Sequence, residues 1–279
     1  METSVSHQAY EASRLDDSET HKMLSKTYPY TILITEDDDE VRCFLERELS
    51  PHFKTRTAAN GKDALRVLEE EEISLVVSDV MMPEMNGFEL CRTIKSQLPF
   101  SHIPVILLTA LTDERQRIFG ITGGADDYIQ KPFHTDYVKI KIIHLLQERR
   151  KLRERLLEKL RDNKLLLSEP EKVESIDDAF LRKFAEQIEA VYADPEYNVE
   201  KLSETLGLSR GHLHRKIKEL TGTAPVEFLR TYRLNKATQL LRQNAYTVSE
   251  VAYRTGFSSP AYFSKCFKAV YGVTPTEYQ

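Results

Sequence analysis

The stretch LVVSDVMMPEMNG, residues 75–87, places an aspartate at the end of a short apolar run. Residues 75–77 have the apolar character of a strand that is buried on both faces, and only Ser78 separates them from Asp79. A carboxylate in that position is costly unless something pairs with it. Asp79 is either a turn or helix-capping residue, because Met-Pro and Asn-Gly follow it, or a functional group.

Short apolar runs alternate with amphipathic segments on both sides of this stretch. The predicted strands are 31–35 (TILIT), 74–78 (SLVVS), 104–109 (PVILLT) and a shorter run at 127–130, and the predicted helices are 38–50, 61–71 and 87–97. In the first helix, Val41, Phe44, Leu45 and Leu49 have the spacing of a buried face. This alternation predicts an α/β domain with a doubly wound, five-stranded parallel sheet, in which the runs at 74–78, 104–109 and 127–130 are the third, fourth and fifth strands.

Polar residues cluster at the carboxyl ends of these strands, where parallel sheets bind ligands. They are Glu36, Asp37 and Asp38, then Asp79, Thr109 and Lys131. Several carboxylates that converge on one spot would repel each other unless a hard cation binds there, and oxygen-only ligands favour Mg²⁺. A lysine and a threonine beside a metal-held carboxylate suit an incoming phosphoryl group. The pattern therefore predicts Asp79 as a nucleophile whose charge is offset by Mg²⁺ and Lys131.

Residues 31 to about 146 resemble the receiver domain of bacterial two-component response regulators. The resemblance rests on Glu36-Asp37, on Asp79 within SDVMMPEMNG, on Thr109-Ala110, and on Tyr128 and Lys131 within GADDYIQKPF. It implies that Asp79 is the phospho-acceptor, and that Mg²⁺ binds Glu36, Asp37, Asp79 and the backbone carbonyl of Met81. It also implies that Thr109, Ala110, Tyr128 and Lys131 bind the phosphoryl group or form the switch, and that the Lys131-Pro132 peptide is cis.

The resemblance also bears on turnover. Within the family, the side chains two residues beyond the acceptor and two beyond the switch threonine tune hydrolysis. Here they are Met81 and Leu111, which cannot orient an attacking water, so slow self-dephosphorylation is expected. The sequence has no kinase ATP-binding pattern, so the chain is not expected to be an enzyme, and a histidine kinase is the expected donor.

Composition sets broader bounds. The 279 residues are 41% hydrophobic and 30% charged, and no run of eighteen apolar residues predicts a membrane span. The N-terminus has neither the basic start nor the apolar core of a secretory signal. It is polar, which predicts a flexible tail at residues 1–29 or the end of a linker. Cys43, Cys91 and Cys266 lie in amphipathic helical segments, which predicts small core residues in a reducing cytoplasm.

Residues 137–163 contain neither glycine nor proline and predict one long helix. Leu145, Leu152 and Leu156 lie on one stripe that Arg149 interrupts, so a solvated linker helix and a coiled coil between two copies both remain open. His144 is predicted to be packed or half-exposed rather than a phosphotransfer group. The predicted domains are a tail at 1–29, a receiver at 30–146, a helical linker at 147–176 that includes SEPEKVES, and a second domain at 177–279.

An internal repeat organises the second domain. Residues 202–209 recur as 251–258, and after a one-residue insertion the match continues from Leu213 with Phe263 to Pro225 with Pro275. Each unit reads as a short helix, a glycine turn and a second helix that starts at a serine N-cap, which is a helix-turn-helix pattern. A long helix at about 226–244 joins the two units.

The second helix of each unit has an apolar face and a polar, mostly basic face. Leu213, Ile217 and Leu220, then Phe263, Phe267 and Val270, are predicted to face the core. That orientation leaves Arg210, His214, Arg215, Lys218, Ser259, Tyr262, Lys265 and Lys268 for a polyanion. Residues 201–279 carry a net charge of +7, which leaves −12 for residues 1–200 of the overall −5. The alternative interpretation is two helical hairpins with solvated basic faces. The duplication and the excess of positive charge favour DNA binding instead.

Residues 177–279 resemble the AraC-type DNA-binding domain, through YRTGFSSPAYFSKCFKAVYGVTPTEY. The resemblance implies base reading by Gly211, His214 and Arg215 in the first unit, and by Pro260, Ala261, Tyr262 and Lys265 in the second. Arg210 and Lys268 are expected to hold phosphates instead. The predicted fold is thus an α/β receiver followed by an all-α domain with two helix-turn-helix units.

This domain order is that of a DNA-binding response regulator, and it also occurs at the C-terminal end of hybrid two-component proteins. The alternatives are a C-terminal fragment of such a hybrid sensor kinase and a phosphorelay receiver whose basic domain binds a protein. The expected partners are double-stranded DNA, a histidine kinase, RNA polymerase and, after phosphorylation, a second copy of the chain.

Overall fold

The computed structural model describes residues 22–110, 124–161 and 175–279, with all their side chains except those of 155–161. The chain divides between Lys151 and Leu152 into two compact units. Predictions for residues 1–21, Leu111, the Leu156 side chain and the segment around Pro170 lie outside what is described. Among the described helices, none combines the length and the apolarity that a membrane crossing requires.

The first unit is a parallel sheet with helices between its strands, and the predicted α/β class is confirmed. Its strands are β1 (Thr31–Thr35), β2 (Lys54–Ala58), β3 (Leu75–Asp79), β4 (Val105–Thr109) and β5 (Asp127–Gln130). Its helices are α1 (Asp39–Leu49), α2 (Gly61–Glu70) and α3 (Gly87–Ser96), and α4 (Thr135–Arg161) begins in this unit and continues past Lys151. The strand order is β2-β1-β3-β4-β5, and every pair is parallel.

Two apolar clusters cover the two faces of this sheet. Ile32 and Ile34 belong to one cluster and Leu33 to the other, because successive side chains of a strand point to opposite faces. β3 and β4 are buried along their whole length, as their continuous apolar runs predict. β2, with the sequence KTRTA, is the edge strand, and its polar residues gave no apolar run from which to predict it.

Side-chain caps start the helices at the carboxyl edge of the sheet. The Asp38 carboxylate accepts hydrogen bonds from the backbone amides of Glu40 and Val41, at 2.8 and 3.1 Å. Asn60 caps α2, and Asn86 caps α3 through a reciprocal capping box with Glu89. Asp38 therefore has a structural role, although it follows the acidic pair directly in the sequence.

The outer face of α1 differs from the prediction at Phe44. This side chain is 42% exposed, and the Arg47 guanidinium lies 5.4 Å from its ring centroid. Leu45 and Leu49 are buried as predicted. Phe44 lies at the border of the apolar stripe, where the sequence spacing alone does not separate a buried position from an exposed one.

Residues 22–29 were predicted as part of a flexible tail, and this prediction is wrong for them. The Tyr28 ring stacks on Phe53 with centroids 5.7 Å apart, and the Tyr28 amide donates to the His52 carbonyl at 2.7 Å. Met23, Tyr28 and Tyr30 pack against the apolar cluster that contains Ile32. Aromatic rings bury a large area, which outweighs the polar composition of this short segment.

Helix α4 is one continuous helix of 27 residues, about 40 Å long. Its first turns bury Val138, Ile142 and Leu146 in the core, and Leu145 packs against the same cluster. His144 is exposed, so the prediction that it is packed or half-exposed is wrong. Leu152 is 66% exposed. The predicted stripe is therefore split between the domain core and an exposed position on the later turns.

The three cysteines do not share one environment, and the prediction that all three are core residues is wrong. Cys43 is exposed, Cys91 is buried and Cys266 is half-buried. Burial raises the pKa of the Cys91 thiol to about 11, and the neighbouring Lys95 only partly opposes this effect. Cys43 lies on the outer side of α1, where a small apolar residue can face solvent without a large cost.

This difference predicts selective thiol chemistry. At pH 8 only about 0.1% of Cys91 should be thiolate, because its pKa is about 11. We expect a disulfide reagent to modify Cys43 in the native protein well before Cys91, and all three cysteines in denaturant. Peptide mapping after timed labelling measures this order. Equal native rates for Cys43 and Cys91 would contradict the burial of Cys91.

The second unit is all helical in its described part, and the predicted pair of helix-turn-helix units is confirmed. Its helices are α5 (Ile176–Val191), α6 (Val199–Leu206), α7 (Arg210–Thr221), α8 (Pro225–Arg242), α9 (Val248–Arg254), α10 (Pro260–Tyr271) and α11 (Pro275–Tyr278). The first unit of the repeat is α6 and α7, the second is α9 and α10, and α8 connects them.

The two turns differ by one residue. In the first, Gly207 adopts φ 69° and Ser209 caps α7. In the second, Gly256 adopts φ 77°, and the cap of α10 is Ser259, whereas the repeat aligns Ser258 with Ser209. A Cβ on Gly256 would lie 2.2 Å from the Tyr192 carbonyl oxygen, so only glycine fits there. The inserted residue thus lies in the turn, before the cap.

The core face of α10 also differs from the prediction. Val270 is 50% exposed, so its assignment to the core is wrong. Tyr271 takes this place, with its ring 4.6 Å from Phe267 and its hydroxyl donating to Asn235 at 2.5 Å. Phe263, Phe267 and Tyr271 follow each other at intervals of four, a spacing that keeps side chains on one helix face. In α7, Leu213 and Ile217 are buried as predicted, and Leu220 is half-buried.

Candidate functional sites

Three carboxylates meet at the carboxyl edge of the sheet. β1 and β3 are neighbours in register, with Thr35 opposite Ser78, so the residues that follow them come together. One carboxylate oxygen each from Glu36, Asp37 and Asp79 lies within 4.8 Å of the others. Glu36 and Asp79 are buried and Asp37 is exposed. The site is thus open to solvent on the Asp37 side.

Lys131 places a positive charge directly beside two of these carboxylates. Its ammonium lies 2.6 Å from Asp79 Oδ1 and 3.0 Å from Glu36 Oε2. The Lys131 amide donates to the Thr109 carbonyl at 2.7 Å, which fixes the segment after β5 to the end of β4. The Lys131-Pro132 peptide is cis, as the resemblance implied.

Burial and the lysine act in opposite directions on these groups. Burial raises the pKa of Glu36, and Lys131 only partly lowers it again. Burial alone would lower the pKa of Lys131, but hydrogen bonds to Asp79 and Glu36 raise it overall. The lysine is therefore held in its charged form, where it can bind an anion.

The loop between β3 and α3 holds Asp79 by its backbone. The Met81 amide donates to Asp79 Oδ2 at 2.9 Å, while the Met81 side chain is 72% exposed. The Gly87 amide donates to the Val80 carbonyl at 3.0 Å. A Cβ on Gly87 would lie 2.1 Å from the Asp79 carbonyl oxygen, so the close approach of α3 to β3 requires glycine here.

The residues predicted to form the switch lie at the end of β4 and on β5. Thr109 is buried at the end of β4, and Ala110 after it is exposed. Tyr128 pairs with Leu107 across β4 and β5, and its half-buried ring packs on the cluster that contains Leu33. Burial raises the pKa of the Tyr128 phenol, and the nearby Cys91 raises it further.

Arg42 contributes to this edge and was missed from the sequence. Its guanidinium donates to the carbonyls of Glu36 and Asp37, at 2.7 and 3.3 Å. It therefore fixes the backbone that carries the acidic pair. A basic residue in the first turn of α1 is the only sequence signal for this role, and such residues are common on exposed helix faces.

A second candidate site lies on the outward faces of α7 and α10. Exposed side chains on these faces are Arg210, His214, Lys218, Tyr262, Lys265 and Lys268, while Arg215 and Ser259 are partly exposed. Gly211 and Ala261 are exposed, and Pro260 is partly exposed. The structure thus brings the predicted residues of each unit onto one helix face.

Several of these residues already have partners within the domain. Arg210 forms an exposed ion pair with Glu200 at 2.8 Å, and the Glu200 carboxylate weakens the attraction of Arg210 for an incoming anion. The Ser259 hydroxyl accepts from the Tyr262 amide at 3.3 Å as the cap of α10. Tyr262 is further held by Arg230 of α8, whose hydrogen bond to the phenol raises the pKa of the guanidinium. Arg230 was not identified from the sequence.

Both units match known domain families. Residues 32–143 match the response regulator receiver domain, and residues 202–279 match a helix-turn-helix domain of the AraC type. The chain therefore joins a response-regulator receiver domain to an AraC-type helix-turn-helix DNA-binding domain, the combination of a two-component system.

Individual relatives resemble the chain over different lengths. Histidine kinase P4 of Formosa agariphila is 37% identical over 265 residues, 95% of this chain and 19% of that protein. Transcriptional regulatory protein GltR of Pseudomonas aeruginosa is 43% identical over 118 residues, 42% of this chain and 49% of that protein. A crystal structure of the signal receiver domain of a Syntrophus aciditrophicus signal transduction histidine kinase is 38% identical, with a TM-score of 0.41, and the match covers 43% of this chain and 91% of that one. The chain thus spans about half or less of the two curated relatives.

Proposed function

We propose that this chain is a phosphorylation-controlled, sequence-specific DNA-binding transcriptional regulator. Asp79 accepts a phosphoryl group from a histidine kinase, and the two helix-turn-helix units bind promoter DNA. The observation that carries the proposal is Lys131, held 2.6 Å from Asp79 within an acidic cluster, in the same chain as a duplicated helix-turn-helix. In the proposed domain limits, residues 30–146 form the receiver that is phosphorylated and residues 177–279 form the domain that binds DNA. Residues 147–176 form the helical linker.

The donor atoms at the acidic cluster fit Mg²⁺. They are oxygens only, and those of Glu36, Asp37 and Asp79 lie within 4.8 Å of one another. The Met81 carbonyl completes the proposed ligand set. When bound, Mg²⁺ supplies positive charge that screens the carboxylates and the phosphoryl oxygens from each other.

The residues of the chain have separate roles in the transfer. A carboxylate oxygen of Asp79 attacks the phosphorus of a phosphohistidine, the new O–P bond forms, and the P–N bond breaks with the electron pair leaving on the imidazole. Lys131 binds a phosphoryl oxygen, and the Thr109 hydroxyl and the Ala110 amide bind others. Met81 offers no group that orients a water for hydrolysis, which favours a long-lived phosphoryl-aspartate.

Phosphorylation acts on the second unit by shifting an equilibrium. It can shift receiver states only by as much as the phosphoryl group distinguishes them, and Thr109 and Tyr128 are the proposed switch. The favoured state self-associates through the receiver and α4, where Leu152 is exposed. Two associated copies place two double-headed readers on neighbouring sites, which raises DNA affinity. RNA polymerase is the proposed further partner at the promoter.

The similarity to Histidine kinase P4 favours a second candidate. That similarity covers 95% of this chain, so the same domain pair can belong to a longer hybrid protein in which a kinase phosphorylates Asp79 in cis. In a third candidate, the chain is a phosphorelay receiver and its basic domain binds a protein. DNA affinity that falls steeply with salt distinguishes the proposed function from this third candidate, because DNA binding releases counterions.

Binding-site selection tests the DNA-binding proposal residue by residue. Each monomer should contact two major-groove segments about 10 bp apart. Arg215 can form a forked contact to a guanine, worth roughly 1–3 kcal/mol, so Arg215→Ala should relax sequence preference at one position in the first segment. Lys265→Ala should relax preference in the second segment.

Lys268→Ala serves as the comparison, because Lys268 is proposed to contact a phosphate. This variant should weaken all sequences nearly equally and lower the salt slope by about one counterion. If Arg215→Ala selects an unchanged motif, the assignment of α7 as the first reading helix is wrong.

A further inference from the structure

The first recognition helix contains a fully buried lysine. Lys216 of α7 has no exposed surface, and its ammonium lies 2.6 Å from Asp177 Oδ1 of α5. The same ammonium lies 5.1 Å from the centroid of the Phe180 ring, also on α5. A carboxylate and an aromatic face on successive turns of α5 thus hold the end of this side chain.

A buried ion pair of this kind contributes geometry more than stability. Removing two charges from water costs about as much as their attraction returns, so an apolar pair of similar size is often as stable. Leu213 and Ile217 of α7 are buried by apolar contacts, which are not directional. The ion pair adds a contact with a preferred distance and geometry, so it restricts where α7 lies relative to α5.

The second recognition helix is fixed in another way. The residue fifty positions after Lys216 is the half-buried Cys266, which cannot form such a pair. α10 is instead joined to α8, through Asn235 with Tyr271 at 2.5 Å and through Arg230 with Tyr262. Within the described part of the chain, it is thus the first recognition helix that an ion pair joins to α5, the helix that follows the linker.

We propose that Lys216 is a positioning residue that sets the placement of the first recognition helix on DNA. Base preference in the first DNA segment then depends on α5, and preference in the second segment does not. Arg215 directly precedes Lys216, so a shift of α7 by about 1 Å moves its fork out of register with a base edge. This inference rests on the proposed DNA-binding function.

Lys216→Met tests the inference by binding-site selection with the full chain. Methionine has a similar length and is apolar, and the Asp177 side chain is partly exposed, so water can reach its carboxylate when the Lys216 ammonium is removed. We expect the ratio of affinities for the preferred and a scrambled first segment to fall about tenfold, the loss of one good base contact. The corresponding ratio for the second segment should stay unchanged.

Lys236→Met is the matched control. Lys236 of α8 also pairs with a carboxylate of α5, Glu189, at 2.8 Å, and it lies 5.4 Å from the ring centroids of Tyr192 and Tyr232. It is not on a recognition helix. This variant removes the same chemical group from the same kind of site, a carboxylate with aromatic rings. Because no recognition helix loses its contact, base preference should stay unchanged in both DNA segments.

A second variant tests the proposal if Lys216→Met does not fold. Lys216→Met with Asp177→Leu replaces both charged groups by apolar ones, so no carboxylate stays at the position that the ammonium has left, and it should show the same loss in the first segment. The proposal is overturned if the folded variants keep the first-segment preference, if both segments lose preference equally, or if the double variant also fails to fold. If the unmodified chain selects no sequence at all, the proposed DNA-binding function fails instead.

Discussion

Replacing Asp79 by asparagine is expected to abolish phosphorylation of the chain. The carboxamide is nearly isosteric with the carboxylate, so it can keep the backbone contact with Met81, but it is not a nucleophile toward phosphorus. Incubation with acetyl phosphate and Mg²⁺, followed by intact-mass measurement, should show an added phosphoryl group in the unmodified chain and none in the variant. The labelled fraction should fall at least about 100-fold, the scale of loss when a catalytic group is removed.

Asp38→Asn is the matched control, because it makes the same chemical change one residue beyond the acidic pair. Asp38 caps α1, and asparagine is an equally good cap, so labelling should persist. Sedimentation measures self-association as a second readout. The phosphodonor should raise the molecular mass of the sedimenting species for the unmodified chain and for Asp38→Asn, but not for Asp79→Asn. Labelling that survives in Asp79→Asn would locate the acceptor elsewhere.

The fold class could be read from the sequence because its central strands are buried on both faces. β1, β3 and β4 are continuous apolar runs, and such runs leave few alternatives to a buried parallel strand. β2 has no comparable signal, since an edge strand with Lys54 and Arg56 exposed resembles a polar loop. Its position follows from pairing with β1, which is a long-range interaction.

The acidic cluster could be predicted for a related reason. Parallel strands end at one edge, so residues that follow β1 and β3 in the sequence must meet in space. No comparable rule identifies Lys216 or Arg230 as residues with partners. Their partners, Asp177 and Tyr262, lie more than thirty positions away, and a lysine or arginine on a basic helix reads as solvated from sequence alone. Helical periodicity likewise does not decide between Val270 and Tyr271, because positions seven and eight after Phe263 both lie near its face.

The second large effect is expected from Gly87→Ala, which adds one methyl group behind the acceptor. The new Cβ would lie 2.1 Å from the Asp79 carbonyl oxygen and 3.0 Å from the Val80 Cα. These contacts are with backbone, so no side-chain rotation relieves them, and either α3 or the end of β3 must move. Overpacking of this kind costs about 3 kcal/mol, and hydrogen exchange of the β3 amides should accelerate about 100-fold as a result. A displacement of Asp79 by about 1 Å should also slow labelling by acetyl phosphate on the order of 100-fold.

Gly211→Ala separates this effect from the general consequence of losing a glycine. A Cβ on Gly211 meets nothing within 4 Å, and alanine in a helix stabilises by up to about 1 kcal/mol. Labelling of this variant should therefore equal that of the unmodified chain. If Gly87→Ala is labelled as fast as Gly211→Ala and its β3 amides remain as protected, α3 does not approach the acceptor strand as closely as described. If labelling falls while β3 protection is retained, the loop rather than the sheet absorbs the added methyl group. Slower labelling, with or without loss of β3 protection, would mean that Gly87 keeps the Asp79 carboxylate within reach of Lys131.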